Sequence, residues 1–132
     1  MISELHPGLQ FHQYQLLEQI GVGGQGVVWS AEDHQRNEIV AIKFNEILDS
    51  EQQQTDDQMF ERQLGKLLNV QHANILPIYD YGLVNQVRYM VSPYISGGSL
   101  FEKIRRGSLQ LEDALRFSAE VASAIDYLHS QG

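Results

Sequence analysis

The stretch IGVGGQGVVWS, Ile20–Ser30, sets four glycines into six positions between two apolar runs. Gly21, Gly23 and Gly26 fit the spacing G-x-G-x-x-G, by which bare backbone approaches phosphate in two settings: a turn that opens a helix, and a hairpin that joins two strands. The residues after the third glycine decide between them. Val27, Val28 and Trp29 are β-branched or aromatic and favour a strand, whereas a dinucleotide-binding turn needs a helix at that point. The preceding YQLLEQI, Tyr14–Ile20, is also extended in character, so the glycines join two strands. On these residues alone an ordinary flexible hairpin is the plain alternative.

Outward from the hairpin, VVWSAED and EIVAIKF flank the polar turn Asp33–Asn37 and read as the second and third strands. The acidic run NEILDSEQQQTDDQ reads as a solvated loop. From about Asp57 to Val70, Met59, Phe60, Leu64, Leu67 and Leu68 recur at helical spacing. ILPIYDYG and VRYMVS give two more strands with a turn near Asn85, and Pro77, lacking an amide donor, puts its strand at an edge or at its start. After GGSL the chain turns helical, over about Leu100 to Arg106 and again over about Leu111 to Ser130. Residues 1–12, with His6-Pro7-Gly8, read as a flexible leader. The class is α+β: a five-stranded antiparallel sheet with one helix, followed by two helices.

Composition narrows the function. A chain of 132 residues with a 42% hydrophobic share suits one ordinary domain with a core. A formal net charge of -8, with nine basic residues that cluster nowhere beyond Arg105 and Arg106, argues against nucleic acid as a partner. Without cysteine there are no disulfides or thiolate metal sites, which fits a reducing compartment such as the cytoplasm. No apolar run is long enough for a signal peptide or membrane span. His6, His12, His34, His72 and His129 lack metal-ligand spacing, so no metal site is expected.

The third strand carries VAIK, Val40–Lys43, an apolar strand with a lysine near its end. Glycine hairpin, strand and lysine in that order resemble the amino-terminal lobe of a protein kinase, most like bacterial members of the Ser/Thr kinase family. HANILPIYDYG, His72–Gly82, is similar to the family's His-x-Asn-Ile stretch, YMVSPYISGGSL, Tyr89–Leu100, to its hinge, and AIDYLHSQG, Ala124–Gly132, to the helix before its catalytic loop. The resemblance runs from about Gln15 to the last residue. It implies a kinase amino-terminal lobe over 13–92 with the glycine-rich loop, a hinge over 93–99, and the first helices of a truncated carboxy-terminal lobe over 100–132.

The resemblance also implies a site. The backbone N–H groups of Gly21, Gly23, Gly24 and Gly26 would lie over phosphates, since glycine places no Cβ in the way. Lys43 would pair with the α- and β-phosphates of ATP, and Ile20, Val28 and Ala41 would form an apolar ceiling for adenine. Ser92 takes the gatekeeper position, where its small size opens space beside the base. Pro93 would offer a carbonyl, and Ile95 both a carbonyl and an N–H. Ser99 falls at a ribose-binding position, with a helix cap as the equal alternative. Mg²⁺ is the implied second cofactor, its ligands belonging to the missing lobe, and protein Ser/Thr the implied substrate of phosphorylation by the full-length transferase.

Two departures qualify this. The helix after the third strand should offer Lys43 a glutamate; counting back from His72 puts Gln63 there, inside the apolar stripe, with Glu61 on its outer edge. The catalytic aspartate, the metal ligands and the activation segment are absent from these residues, so this chain alone is expected to be inactive. A pseudokinase or scaffold that binds nucleotide or a partner without chemistry is the rival reading, and a small α+β interaction domain without nucleotide the bland one. Leu111, Leu115, Phe117, Val121, Ala122, Ile125 and Leu128 spread over about half the last helix, wider than a one-sided helix requires, so a homodimer through residues 111–130 is expected.

Overall fold

The computed structural model describes residues 2–23, 26–47, 51–107 and 109–131, with the backbone alone described at 51–57 and 60. After a 3-10 turn at Ile2–Glu4 the elements run β1 (Gln10–Phe11), β2 (Tyr14–Gly23), β3 (Gly26–Asp33), β4 (Glu38–Glu46), α1 (Glu51–Leu67), β5 (Asp80–Val84), β6 (Val87–Pro93), α2 (Leu100–Arg106) and α3 (Leu111–Gln131). The strands form one antiparallel sheet in the order β1-β2-β3-β4-β6-β5. The chain divides into two compact units: Met1–Val70 with Pro77–Tyr94, and Gln71–Leu76 with Ile95–Gly132. Among the described residues no helix is long and apolar enough to cross a membrane.

In the first unit the sheet buries one face. Alternation sends Val27, Trp29 and Ala31 of β3, Val40, Ile42 and Phe44 of β4, and Tyr89 and Val91 of β6 to the same side, where they meet Tyr14 and Leu16 of β2. Val40, Ile42 and Val91 have no exposed surface, and side chains of this size stabilise by about 1.5–3 kcal/mol each when fully buried. Tyr14 donates its hydroxyl to Asp80 Oδ2 across 3.2 Å, tying β2 to β5.

Turn chemistry fixes the hairpins. Asn85 and Gln86 both have positive φ, 49° and 64°, and join the paired residues Val84 and Val87 by the two-residue turn whose twist suits antiparallel strands. Between β3 and β4, Asp33 Oδ1 accepts the N–H groups of Gln35 and Arg36 at 2.9 and 3.1 Å, while the Arg36 guanidinium lies 3.7 Å over the Tyr79 ring.

Four expectations need correction. The sheet has six strands, the extra one being β1, whose Phe11 pairs with Tyr14 and packs edge-on against Phe44 and Tyr89. The leader is not loosely held: Ile2, Leu5, Leu9 and Phe11 pack on the core, and the Ile2 N–H donates to Glu46 Oε1 at 2.8 Å. Helix α1 begins at Glu51, inside the run expected to be a loop, because polar residues extend a helix without any apolar period to announce it. Strand β5 starts only at Asp80, beyond Pro77, and lies at the sheet edge.

The second unit is built on α3. Ser99 caps α2, its hydroxyl accepting the Glu102 N–H at 3.1 Å, and Lys103 lies 5.3 Å over the Phe117 ring. Residues 71–76 are held on α3 by Tyr127 and Ser123. Ala124 is buried, while Leu111, Leu115, Val121, Ile125 and Leu128 are exposed.

Candidate functional site

The face of the sheet opposite the core carries two rows of side chains across the strands. Val28, Lys43 and Met90 stand side by side on β3, β4 and β6, with Gly21 of β2 completing the row. Two residues further along, about 7 Å away, Glu18, Ser30, Ala41 and Ser92 form the next. Val28, Ala41, Lys43, Met90 and Ser92 are all half-buried, and Ser30 is buried with its hydroxyl shared between the N–H and carbonyl of Glu18. Sequence order alone did not single out Met90 or Ser30. The alternation in VRYMVS, which sends Met90 and Ser92 to one face, was the available signal for Met90.

The glycines are not equivalent. A Cβ on Gly23 would meet nothing within 4 Å, and one on Gly21 would rest 3.6 Å from Val28 Cβ, an ordinary contact. Packing therefore demands neither, and both leave backbone open toward a ligand. Gly26 has φ +126°, and a Cβ there would run into the Phe44 carbonyl oxygen and lie 3.1 Å from the carbonyl carbon. It is required by the close approach of the hairpin tip to β4. Gly24 lies outside the described residues. Ile20 is the extra residue in a register shift between Gln19 and Gly21, and is 40% exposed.

Among the described residues the Lys43 side chain makes no ion pair or hydrogen bond. Gln63 and Glu61 are both exposed on α1, and neither bonds to the lysine. The expected stripe is only partly buried: Leu64 is 4% exposed, whereas Met59 and Leu68 are 55% and 42% exposed, and the Phe60 side chain lies outside the described residues. Gln63 thus stands beside the buried position instead of within a buried stripe.

Pro93 ends β6 opposite Val40, and Ile95 and Ser99 belong to the second unit, where Ile95 is 62% exposed and Ser99 serves as the α2 cap. The first unit alone therefore assembles an open glycine backbone, the Lys43 cation and a shelf of small side chains. That set suits a polyphosphate joined to a flat body, and so fits ATP. No cluster of three or more His, Asp or Glu among the described residues could hold a metal, so the Mg²⁺ implied by the resemblance finds no ligand set here.

Comparison with known proteins bears on the family and the fold. The model of the protein kinase domain matches residues 14–132. The chain is 35% identical over 133 aligned positions to the serine/threonine-protein kinase PknE of Mycobacterium tuberculosis, covering 98% of this chain and 23% of that protein. It is 31% identical over 124 positions to a probable serine/threonine-protein kinase of Clostridium acetobutylicum, covering 92% of this chain and 18% of that one. The solved kinase domain of M. tuberculosis PknI superposes with a TM-score of 0.86 at 21% identity, over 97% of this chain and 52% of that structure, a likeness of fold. The chain thus spans about a fifth of those curated relatives and about half of that kinase domain. With the hairpin, the lysine strand and the sheet order all in place, the chain belongs to the protein kinase domain family.

Proposed function

We propose that this chain is the ATP-binding half of a Ser/Thr protein kinase, inactive alone, whose complete form transfers the γ-phosphoryl group of ATP to protein Ser or Thr. The observation that carries the reading is the placement of Lys43 and Val28 beside the bare Gly21, one row from Ala41 and Ser92. ATP, when bound, supplies the transferable phosphoryl group. The N–H groups of the glycine hairpin and the Lys43 ammonium hold its phosphates, and the Val28 and Ala41 side chains pack on its base. Pro93 and Ile95 take the base edge by the roles their positions carry in the family. The catalytic base and the Mg²⁺ ligands are supplied by residues other than these 132. The names of the relatives support the Ser/Thr class.

A pseudokinase is the second reading, favoured by Gln63, whose neutral amide cannot give Lys43 a charge-assisted partner. Calorimetric titration with ATP, with and without Lys43→Met, tests the shared part. Binding should weaken by about tenfold or more in the variant, the loss of a hydrogen bond between charged groups. Incubation with labelled ATP, Mg²⁺ and a generic protein substrate should leave no label. An unmodified chain that does not bind ATP, or one that transfers label, overturns the proposal.

A further inference from the structure

Residues 71–76 connect α1 to β5, yet they belong to the helical unit, where His72 holds them by both nitrogens of its ring. Nδ1 lies 3.0 Å from the backbone nitrogen of Asn74, and Nε2 lies 3.1 Å from Ser123 Oγ on α3. A backbone N–H only donates, so Nδ1 must carry a lone pair and the ring proton must sit on Nε2, where it is donated to Ser123. The same loop closes a turn by the Ile75 N–H on the His72 carbonyl at 3.2 Å, and the Gln71 N–H reaches the Tyr127 hydroxyl at 3.4 Å. The Tyr127 ring, 5.2 Å from the imidazole at 42°, packs beside it.

We infer that His72 is an acid-released latch, in which the neutral ring pins residues 71–76 to α3 and protonation sets them free. Imidazole bearing two protons has no acceptor left, so its Nδ1–H would confront the Asn74 N–H across the distance that now serves as a hydrogen bond. The groups facing the ring are the Ser123 hydroxyl and the Tyr127 phenol from α3, and the Asn74 amide from its own loop. Among the described residues no carboxylate stands within ion-pair distance to favour the cation. The latch therefore holds while the ring carries one proton and is lost once it carries two. Its release would loosen the segment just beyond the end of α1.

Nitrogen NMR on the labelled 132-residue chain tests this. At about pH 8 the ring should show the Nε2–H tautomer, and on going to about pH 5 the exchange protection of Asn74 and Gln71, normalised to amides inside α3, should fall about fivefold, the worth of one hydrogen bond. His72→Gln keeps a donor and an acceptor without a titration, and should remove the pH step. An Nδ1–H tautomer, protection that ignores pH, or the same step in His72→Gln would overturn the latch. The tautomer measurement needs no variant and decides the matter even where His72→Gln does not fold.

Discussion

Replacing Gly26 by alanine separates the glycine that builds the hairpin from those that leave room for a ligand. The new Cβ would collide with the Phe44 carbonyl oxygen and lie 3.2 Å from Asn45 Cγ, and the first of these is backbone that no rotamer change can move. The residue sits at φ +126°, where a side chain costs about 1–3 kcal/mol in backbone strain. Shifting the strand that carries Phe44 disturbs its pairing with Val27, worth about 1 kcal/mol for one hydrogen bond. The reduced entropy of the unfolded chain returns about 0.4–1 kcal/mol. The net loss is about 1–3.5 kcal/mol, which lowers the melting temperature by about 4–15 °C for a chain of this size. Differential scanning calorimetry reads the shift directly. Gly23→Ala, with nothing within 4 Å of its Cβ, should leave stability within about 0.5 kcal/mol and weaken ATP binding instead. A Gly26→Ala protein that melts within about 2 °C of the parent would show that the tip adapts, and the distinction between the glycines would fall.

Three further outcomes are expected. Burial, with the Asp80 carboxylate next, pushes the Tyr14 phenol well above its usual range; a raised value in the folded state means stability that is present below about pH 10 and lost as pH rises further. Tyr14→Phe should flatten that alkaline loss while costing about 0.5–1.5 kcal/mol at neutral pH for the hydrogen bond to Asp80, and urea titrations at both pH values would check it. In a chain carrying the complete kinase domain, Gln63→Glu should raise activity or nucleotide affinity by about fivefold, and Glu61→Ala should change little; the reverse ranking in steady-state kinetics would put Glu61 opposite Lys43. The exposed Leu111, Leu115, Val121, Ile125 and Leu128 of α3 should pair two copies of this chain, since several such side chains supply about 5–10 kcal/mol before the cost of association, and light scattering at micromolar concentration would show a dimer.

Much of this architecture is legible in the amino-acid order because period and punctuation act locally. The apolar spacing from Leu111 announces α3, and the alternation of VVWSAED and EIVAIKF announces β3 and β4. What escapes the sequence depends on partners remote along the chain. Ile2, Leu5 and Leu9 have no period of their own, and only the core of the sheet, assembled from strands later in the chain, gives them a place. The stripe on α1 suggests that Gln63 points inward, but a stripe says which side chains could pack and not what surface they will meet. The spacing of Gly21, Gly23 and Gly26 is equally blind to purpose. The Phe44 carbonyl, eighteen positions beyond Gly26 in the sequence and touching it in space, is what separates the roles.

The sheet order also sets a timetable for synthesis. Strands β1 to β4 pair each with the next, so four of the six can zip together as soon as Glu46 has left the ribosome. The neighbour that β4 needs on its other flank is β6, which begins at Val87, and at about 5–20 residues per second it arrives about 2–8 s later. During that interval the nascent meander lacks Tyr89 and Val91, and the flank of β4 stands open to any strand that passes. The interval is a window in which a holding chaperone has a reason to act, and a longer insertion between β4 and β6 would widen it.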